Sequence, residues 1–234
     1  MKNQRMHLSK LHPRHFWSSE SGLTGLLIFF LGYLIFLFSL SDFSFGRLLA
    51  RLLFSLIIIA GVVTTFKQRW LHGFAIVLAV VILALTWVEE IRPGVTLTIL
   101  NAGLSLIYLG FLLAAVGVQV FGEGPVTGHR IRGAIVVYLL LGGIWALLYQ
   151  VVALSIPQAF RLPEGQAGDP EALQRLLTYF SFITLTTTGY GDITPVYPVA
   201  RLLTMFEALV GQLYPAITLA RLVSLAVMHQ KAKS

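Results

Sequence analysis

The sequence predicts an all-α membrane protein: six transmembrane helices plus a re-entrant helix that leads into a non-helical loop. Three observations carry this. The 234 residues are 56% hydrophobic and only 12% charged, with a mean hydropathy of +0.81, far more apolar than a soluble domain of this length. The apolar stretches are long enough for spanning helices rather than barrel strands. One further stretch is too short and too Thr-rich to cross alone. The chain has no Cys and a formal net charge of +7. Lack of Cys excludes disulfides, thiolate metal sites and Cys nucleophiles. The positive residues sit near membrane edges, so anionic lipid headgroups are the expected partner and nucleic acid is not.

Residues 1–21 form a basic segment with Lys2, Arg5, Lys10 and Arg14. Phe16 and Trp17 read as an interfacial anchor, either on a short helix lying on the membrane or in a disordered tail. No small-residue cleavage pattern precedes the first span, so no cleavable signal is expected. Residues 22–121 read as a four-helix membrane domain. Its spans are Gly22–Leu40, Arg47–Phe66, Leu71–Val88 and Val95–Phe121, with a loop at Ser41–Gly46 and a Pro93-Gly94 turn. Residues 122–130 are a Gly/Pro-rich linker. Residues 131–228 hold an outer helix (131–156), a turret-like loop (157–168), a short helix (about 170–186) and a last helix (199–228). Asp169, Pro170 and Glu171 suit a helix start: a cap, a first-turn proline, and acids at the positive end of the dipole. The tail 229–234 is basic.

Between the short and last helices runs Thr186-Thr187-Thr188-Gly189-Tyr190-Gly191-Asp192. Gly189 and Gly191 supply positive φ cheaply at alternate residues, as a loop must when it points successive carbonyls along one axis. Non-helical backbone at membrane depth is tolerated where it lines a water-filled path. From about Asp169 to Met228 the chain resembles the tetrameric P-loop potassium channels, whose filter reads T-V-G-Y-G. Thr187, Thr188, Gly189, Tyr190 and Gly191 fill those places, with Val changed to the similarly sized, β-branched Thr. A bare turn between two helices does not explain three adjacent Thr before the glycines. The resemblance implies a homotetramer that binds K+ at Thr187, Thr188, Gly189 and Tyr190, with no other cofactor.

Charge sets the expected orientation. Both termini, Lys67, Arg69, Arg130 and Arg132 fall on one side, and Asp42, Glu89, Glu90, Glu164, Asp169, Glu171 and Asp192 on the other. The positive-inside rule makes the first side cytoplasmic in a plasma (inner) membrane, with the loop mouth outside. Six spans with a pore between the last two resemble the plan of voltage-gated channels. Their fourth helix carries a ladder of basic residues, and Val95–Phe121 carries none. Moving one charge through the field is worth roughly 2.3 kcal/mol per 100 mV, and steep voltage gating needs several. Arg47 and Arg51 share a face at the outer end of the second span. They read as snorkelling to headgroups or pairing with Asp42, Glu89 or Glu90, rather than sensing voltage.

Further candidate residues flank the loop. The resemblance places Tyr179 and Phe180 in an aromatic collar around Tyr190; ordinary core packing is the alternative. Ile183 stands where some family members carry a Glu bonded to the filter Asp, which leaves the support of Asp192 open. Glu207 is a mid-membrane acid. If Gln212, Ala216 and Leu219 line the cavity, Glu207 faces the pore helix and bonds Thr184, Thr186 or Ser181. Gly211 and Pro215 suit either a gate hinge or a fixed bend. The six His show no metal-ligand spacing, and no nucleophile, base and orienting acid converge, so an enzyme has no support. Competing readings are a potassium-uptake transporter subunit and a non-conducting sensor or scaffold with a vestigial pore. The single loop argues against the former and the intact Gly189-Tyr190-Gly191 against the latter. No room for a nucleotide- or calcium-binding domain is expected after Met228, so the gating stimulus stays unassigned.

Overall fold

The computed structural model describes residues 14–39, 44–64, 69–122, 126–163 and 170–231. Its order is α1 (Arg14–Ser39), α2 (Ser44–Thr64), α3 (Arg69–Ile91), α4 (Val95–Phe121), α5 (Gly128–Ser155), β1 (Phe160–Arg161), α6 (Pro170–Leu185), β2 (Thr194–Pro195) and α7 (Pro198–Lys231). Among the described residues six helices are apolar and long enough to cross a membrane; α6 is not among them. This is an all-α, multi-pass membrane protein.

The helix bounds follow the chemistry, with corrections at the ends. Val95–Phe121 is a helix over the expected residues, set off by the Pro93-Gly94 turn. The first helix runs unbroken from Arg14 to Ser39, and its membrane-spanning stretch, Gly22–Ser39, starts at the expected residue. Phe16 and Trp17 precede that stretch on the same helix. The second begins at Ser44, inside the stretch expected to be a loop. The expected roles of Asp42, Lys67, Glu164, Asp169 and residues 1–13 lie outside the described residues.

One apolar cluster runs through the first five helices, with Leu26, Ile57, Ile58, Ile82, Leu112 and Leu140 fully buried. The 122–130 linker therefore joins helices that share a core. The α4–α5 hairpin packs so closely that a Cβ on Gly133 would lie 2.7 Å from Val120. The Tyr108 hydroxyl, in the middle of this core, donates to the Ile58 carbonyl. A buried phenol needs such a partner. The second cluster lies where α5, α6 and the strands meet, and contains Tyr149, Phe160, Leu177, Phe180 and Ile193.

The turret-like loop holds structure that its sequence does not announce. β1 pairs antiparallel with β2, Phe160 opposite Pro195 and Arg161 opposite Thr194. Val196 N–H also donates to the Ala159 carbonyl at 2.8 Å. The chain before α6 is thus stitched to the chain after the loop, which fixes both ends of the segment between them.

Candidate functional site

Helix α6 carries Glu171 in its first turn and buries Leu173, Leu177, Phe180, Ser181 and Thr184 along its length. Acids favour the positive end of the dipole, and the carbonyl end points the opposite way. That end is held by specific bonds. The Ile183 carbonyl accepts from both Thr188 N–H (2.8 Å) and Gly189 N–H (3.1 Å), and the Thr184 carbonyl from Thr187 N–H (2.9 Å). Tyr138 on α5 donates its hydroxyl to the Leu185 carbonyl at 3.0 Å.

Beyond α6 the backbone alternates. Positive φ occurs at Thr187 (58°), Gly189 (54°) and Gly191 (79°). Every second residue is in the left-handed region, so successive peptide units turn alternately. Glycine was expected at two of these positions on steric grounds. Thr187 was not, because a β-branched residue there is uncommon. The hydroxyls of Thr186 and Thr188 lie 2.9 Å apart, and Thr186 Oγ1 also donates to the Phe182 carbonyl at 2.7 Å. Residues 186–192 are exposed on the single chain.

Behind the loop sits a buried acid. Glu207 on α7 is wholly buried. Tyr149 on α5 donates its hydroxyl to Glu207 Oε2. Ser181 on α6 donates to Glu207 Oε1 at 2.5 Å and lies 2.8 Å from the Gly142 carbonyl. One carboxylate thereby joins the outer, short and last helices. Of the three expected partners, Ser181 is bonded, whereas Thr186 turns to Thr188 and Phe182. Tyr149 was missed. Its signal was a phenol in the middle of an apolar helix, which needs an acceptor once buried.

Gly211 lies one turn on from Glu207. A Cβ there would stand 1.9 Å from the Leu185 carbonyl oxygen. The last helix thus lies directly on the end of α6, and it continues through Pro215 as one helix to Lys231. Gln212, Pro215, Ala216 and Leu219 share an exposed face. Lower on the same helix, Tyr214 donates to the Ala134 carbonyl at 2.8 Å and stacks on Tyr138, and Arg221 donates to the Phe121 carbonyl at 2.6 Å.

Phe180 is buried against Tyr149 (5.1 Å between centroids) and Phe160 (5.7 Å), and the Tyr190 side chain is exposed on the single chain. The place of Phe180 is the turret core, because the strand pair brings Phe160 under it. Tyr179 meets Phe38 of α1 edge-on. Asp192 accepts from Ile193 N–H at 3.1 Å.

The expected pairing of Arg47 and Arg51 is corrected in part. Arg51 pairs with Glu90 of α3 and with Glu171 at the start of α6; Arg47 lies 3.4 Å from Glu171. Glu89 instead accepts from Asn101 of α4 at 2.9 Å.

Residues 171–228 match a family model described as Ion channel. The chain is 35% identical over 86 residues to Protein LctB of Bacillus caldotenax, and 34% identical over 86 residues to Protein LctB of Geobacillus stearothermophilus. Each alignment covers 36% of this chain and 62% of the relative, so the chain spans less than two thirds of the length of the curated relatives it matches. No solved structure matches it. The matched segment is α6, the alternating loop and most of α7. It supports an ion channel and points away from an enzyme.

Proposed function

We propose that the protein is a potassium-selective channel, assembled as a homotetramer, that passes K+ passively across the plasma (inner) membrane. The single observation that carries this is the left-handed alternation at Thr187, Gly189 and Gly191. It lets consecutive carbonyls face one side, where fourfold repetition replaces the ion's hydration shell. One chain holds one loop, so a closed ring needs four. The ion sites are the carbonyls of Thr187 to Tyr190, with the Thr187 hydroxyl at the inner mouth. Asp192, Tyr179 and Glu207 hold the loop from outside and behind. Phe180 acts through the turret core. Gln212, Pro215 and Leu219 line the cavity, and Gly211 seats the last helix on the pore helix. Termini are cytoplasmic, and basic residues there face anionic headgroups.

The test is rubidium uptake into proteoliposomes containing the purified full chain. The expected result is barium-blocked flux with sodium excluded, from a particle of four chains. Equal sodium and rubidium flux, or a monomeric particle, would sink the reading.

A further inference from the structure

The helices enclose a second polar space, away from the loop. A vestibule of about 700 Å³ opens among α1–α4 and the start of α6, a size that suits a small organic molecule. Three arginines and three glutamates line it, so its walls carry no net charge to select an ion. Tyr33, Phe36, Phe54 and Trp87 give it aromatic faces. It shares Tyr33, Phe54, Leu147, Gln150 and Gln174 with a smaller space of about 30 Å³, whose wall continues along α6 to Phe182.

Two polar side chains on the vestibule wall are buried without partners. Gln150 of α5 is 6% exposed and Ser105 of α4 is 3% exposed. Neither side chain makes a hydrogen bond to any described residue. The polar atoms that are sealed off without a partner, such as Glu89 Oε1 and Asn101 Oδ1, belong to other residues. The Gln150 and Ser105 groups therefore open onto the space they line. They also lie near one another. Helices α4 and α5 run antiparallel, with a Cβ on Gly133 2.7 Å from Val120 and one on Gly143 3.6 Å from Leu109. Carried one turn further, that register sets Ser105 against Leu147, one turn short of Gln150. Tyr33 of α1 accepts from Gln174 at 3.4 Å and keeps its own hydrogen to donate. A buried amide with neither polar end met costs stability. The neighbouring wall residues Phe54, Ala102 and Leu147 give water few further partners there.

We infer that this vestibule binds an uncharged carboxamide compound, its amide against Gln150 and Ser105 and its apolar body against the aromatic wall. A primary carboxamide carries both N–H and C=O, so it gives one bond to the Gln150 amide and takes one from it. Its oxygen has a second lone pair for the Ser105 hydroxyl. An ion meets no unbalanced charge, because Arg51 and Arg47 are taken up by Glu171 and Glu90. A plain hydrocarbon leaves the Gln150 amide unmet. Gln174 of α6 stands in the same wall, so an occupant touches the helix that leads into the loop. The binding itself does not depend on ion conduction.

The test uses Ala102→Cys, which sets one thiol on the vestibule wall of a chain that has no other cysteine. The full chain in lipid nanodiscs is labelled with a trimethylammonium methanethiosulfonate in the presence of benzamide, benzoate or benzylammonium. Labelling is expected, slowed severalfold by benzamide and unaffected by equal concentrations of the two charged analogues. Saturation-transfer NMR of benzamide on the cysteine-free wild type reads the same binding without the thiol. Gln150→Leu removes the amide and no protein bond. It should raise the half-protecting benzamide concentration by about tenfold without lowering the melting temperature of the unliganded protein, and Ser105→Ala should raise it by a smaller factor. A thiol that never reacts would show the space to be closed. Labelling that benzamide does not slow would show that water alone fills it. Either result overturns the inference, as would equal protection by benzoate or benzylammonium, unchanged benzamide protection in Gln150→Leu, or a lower melting temperature in that variant, since the amide would then have a partner within the protein.

Discussion

Gly211 is held where no side chain fits. The missing Cβ would meet a backbone oxygen, Leu185 O, rather than a flexible side-chain end. Relief therefore requires α6 or α7 to move. Gly211→Ala is expected to destabilise the protein by roughly 2 kcal/mol or more, read as a lower melting temperature together with reduced rubidium flux. Glu207 poses the opposite problem, a polar side chain that two hydroxyls meet. Glu207→Ala leaves the Tyr149 hydroxyl without its acceptor inside the core, while Ser181 keeps the Gly142 carbonyl, costing about 2 kcal/mol. Glu207→Gln retains an oxygen and adds donors that both hydroxyls can accept, so its melting temperature should lie well above that of the alanine variant. Equal melting of the two would show that the contact is not what Glu207 provides. At this scale the sequence told unevenly. The two loop glycines and the buried acid were legible because glycine at positive φ and a mid-span carboxylate have few explanations. The close contact of Gly211 was not, since a glycine in a helix looks the same whether it bends or is crowded. The positive φ of Thr187 was hidden because nothing in its residue type favours it.

Among elements, a charged contact ties α2 to the start of α6. Arg51 and Glu171 are 120 positions apart, and the pair is partly exposed, 25% and 34%. Solvent screens such pairs, so each is worth about 1 kcal/mol or less. The shared geometry matters more than the sum, because Arg51 also holds Glu90 and Arg47 also reaches Glu171. Arg51→Gln and Glu171→Gln are expected to be non-additive: the double variant should lose less stability than the two single losses combined, by a few tenths of a kcal/mol or more. The loss should shrink in high salt. Strict additivity would mean the groups meet without interacting. Helix positions were readable from apolar length, and α4 from its flanking turn. The two-residue strands were not readable, because their pairing is created by tertiary contact between the turret and the post-loop chain. Glu90 was among the partners expected for Arg51, but Glu171 escaped for a related reason: charge on one face predicts a partner, and only the fold says which.

For the molecule as a whole, the last helix raises a question that one chain does not answer. Leu202, Met205, Phe206, Leu209, Leu213 and Ile217 are all exposed on α7, beside a loop whose backbone groups need partners. Lipid satisfies apolar side chains but not carbonyls. The proposed fourfold assembly places the loop around a central ion path, where the permeant ion becomes the ligand of its carbonyls. Ion removal then has a consequence apart from flux. Carbonyls that face one another without a cation repel, so potassium should stabilise the assembled particle and sodium, which fits the ring poorly, should not. The detergent-solubilised oligomer is expected to melt at a higher temperature in potassium or barium than in sodium or choline. Thr188→Val, which leaves the backbone oxygen in place and removes only the 2.9 Å contact with Thr186, should keep that difference. Gly191→Ala, with φ at 79°, should abolish it, because an L side chain resists the backbone turn that aims the carbonyls. A particle whose melting ignores the choice of cation, in wild type and Thr188→Val alike, would show that these carbonyls do not hold the ion.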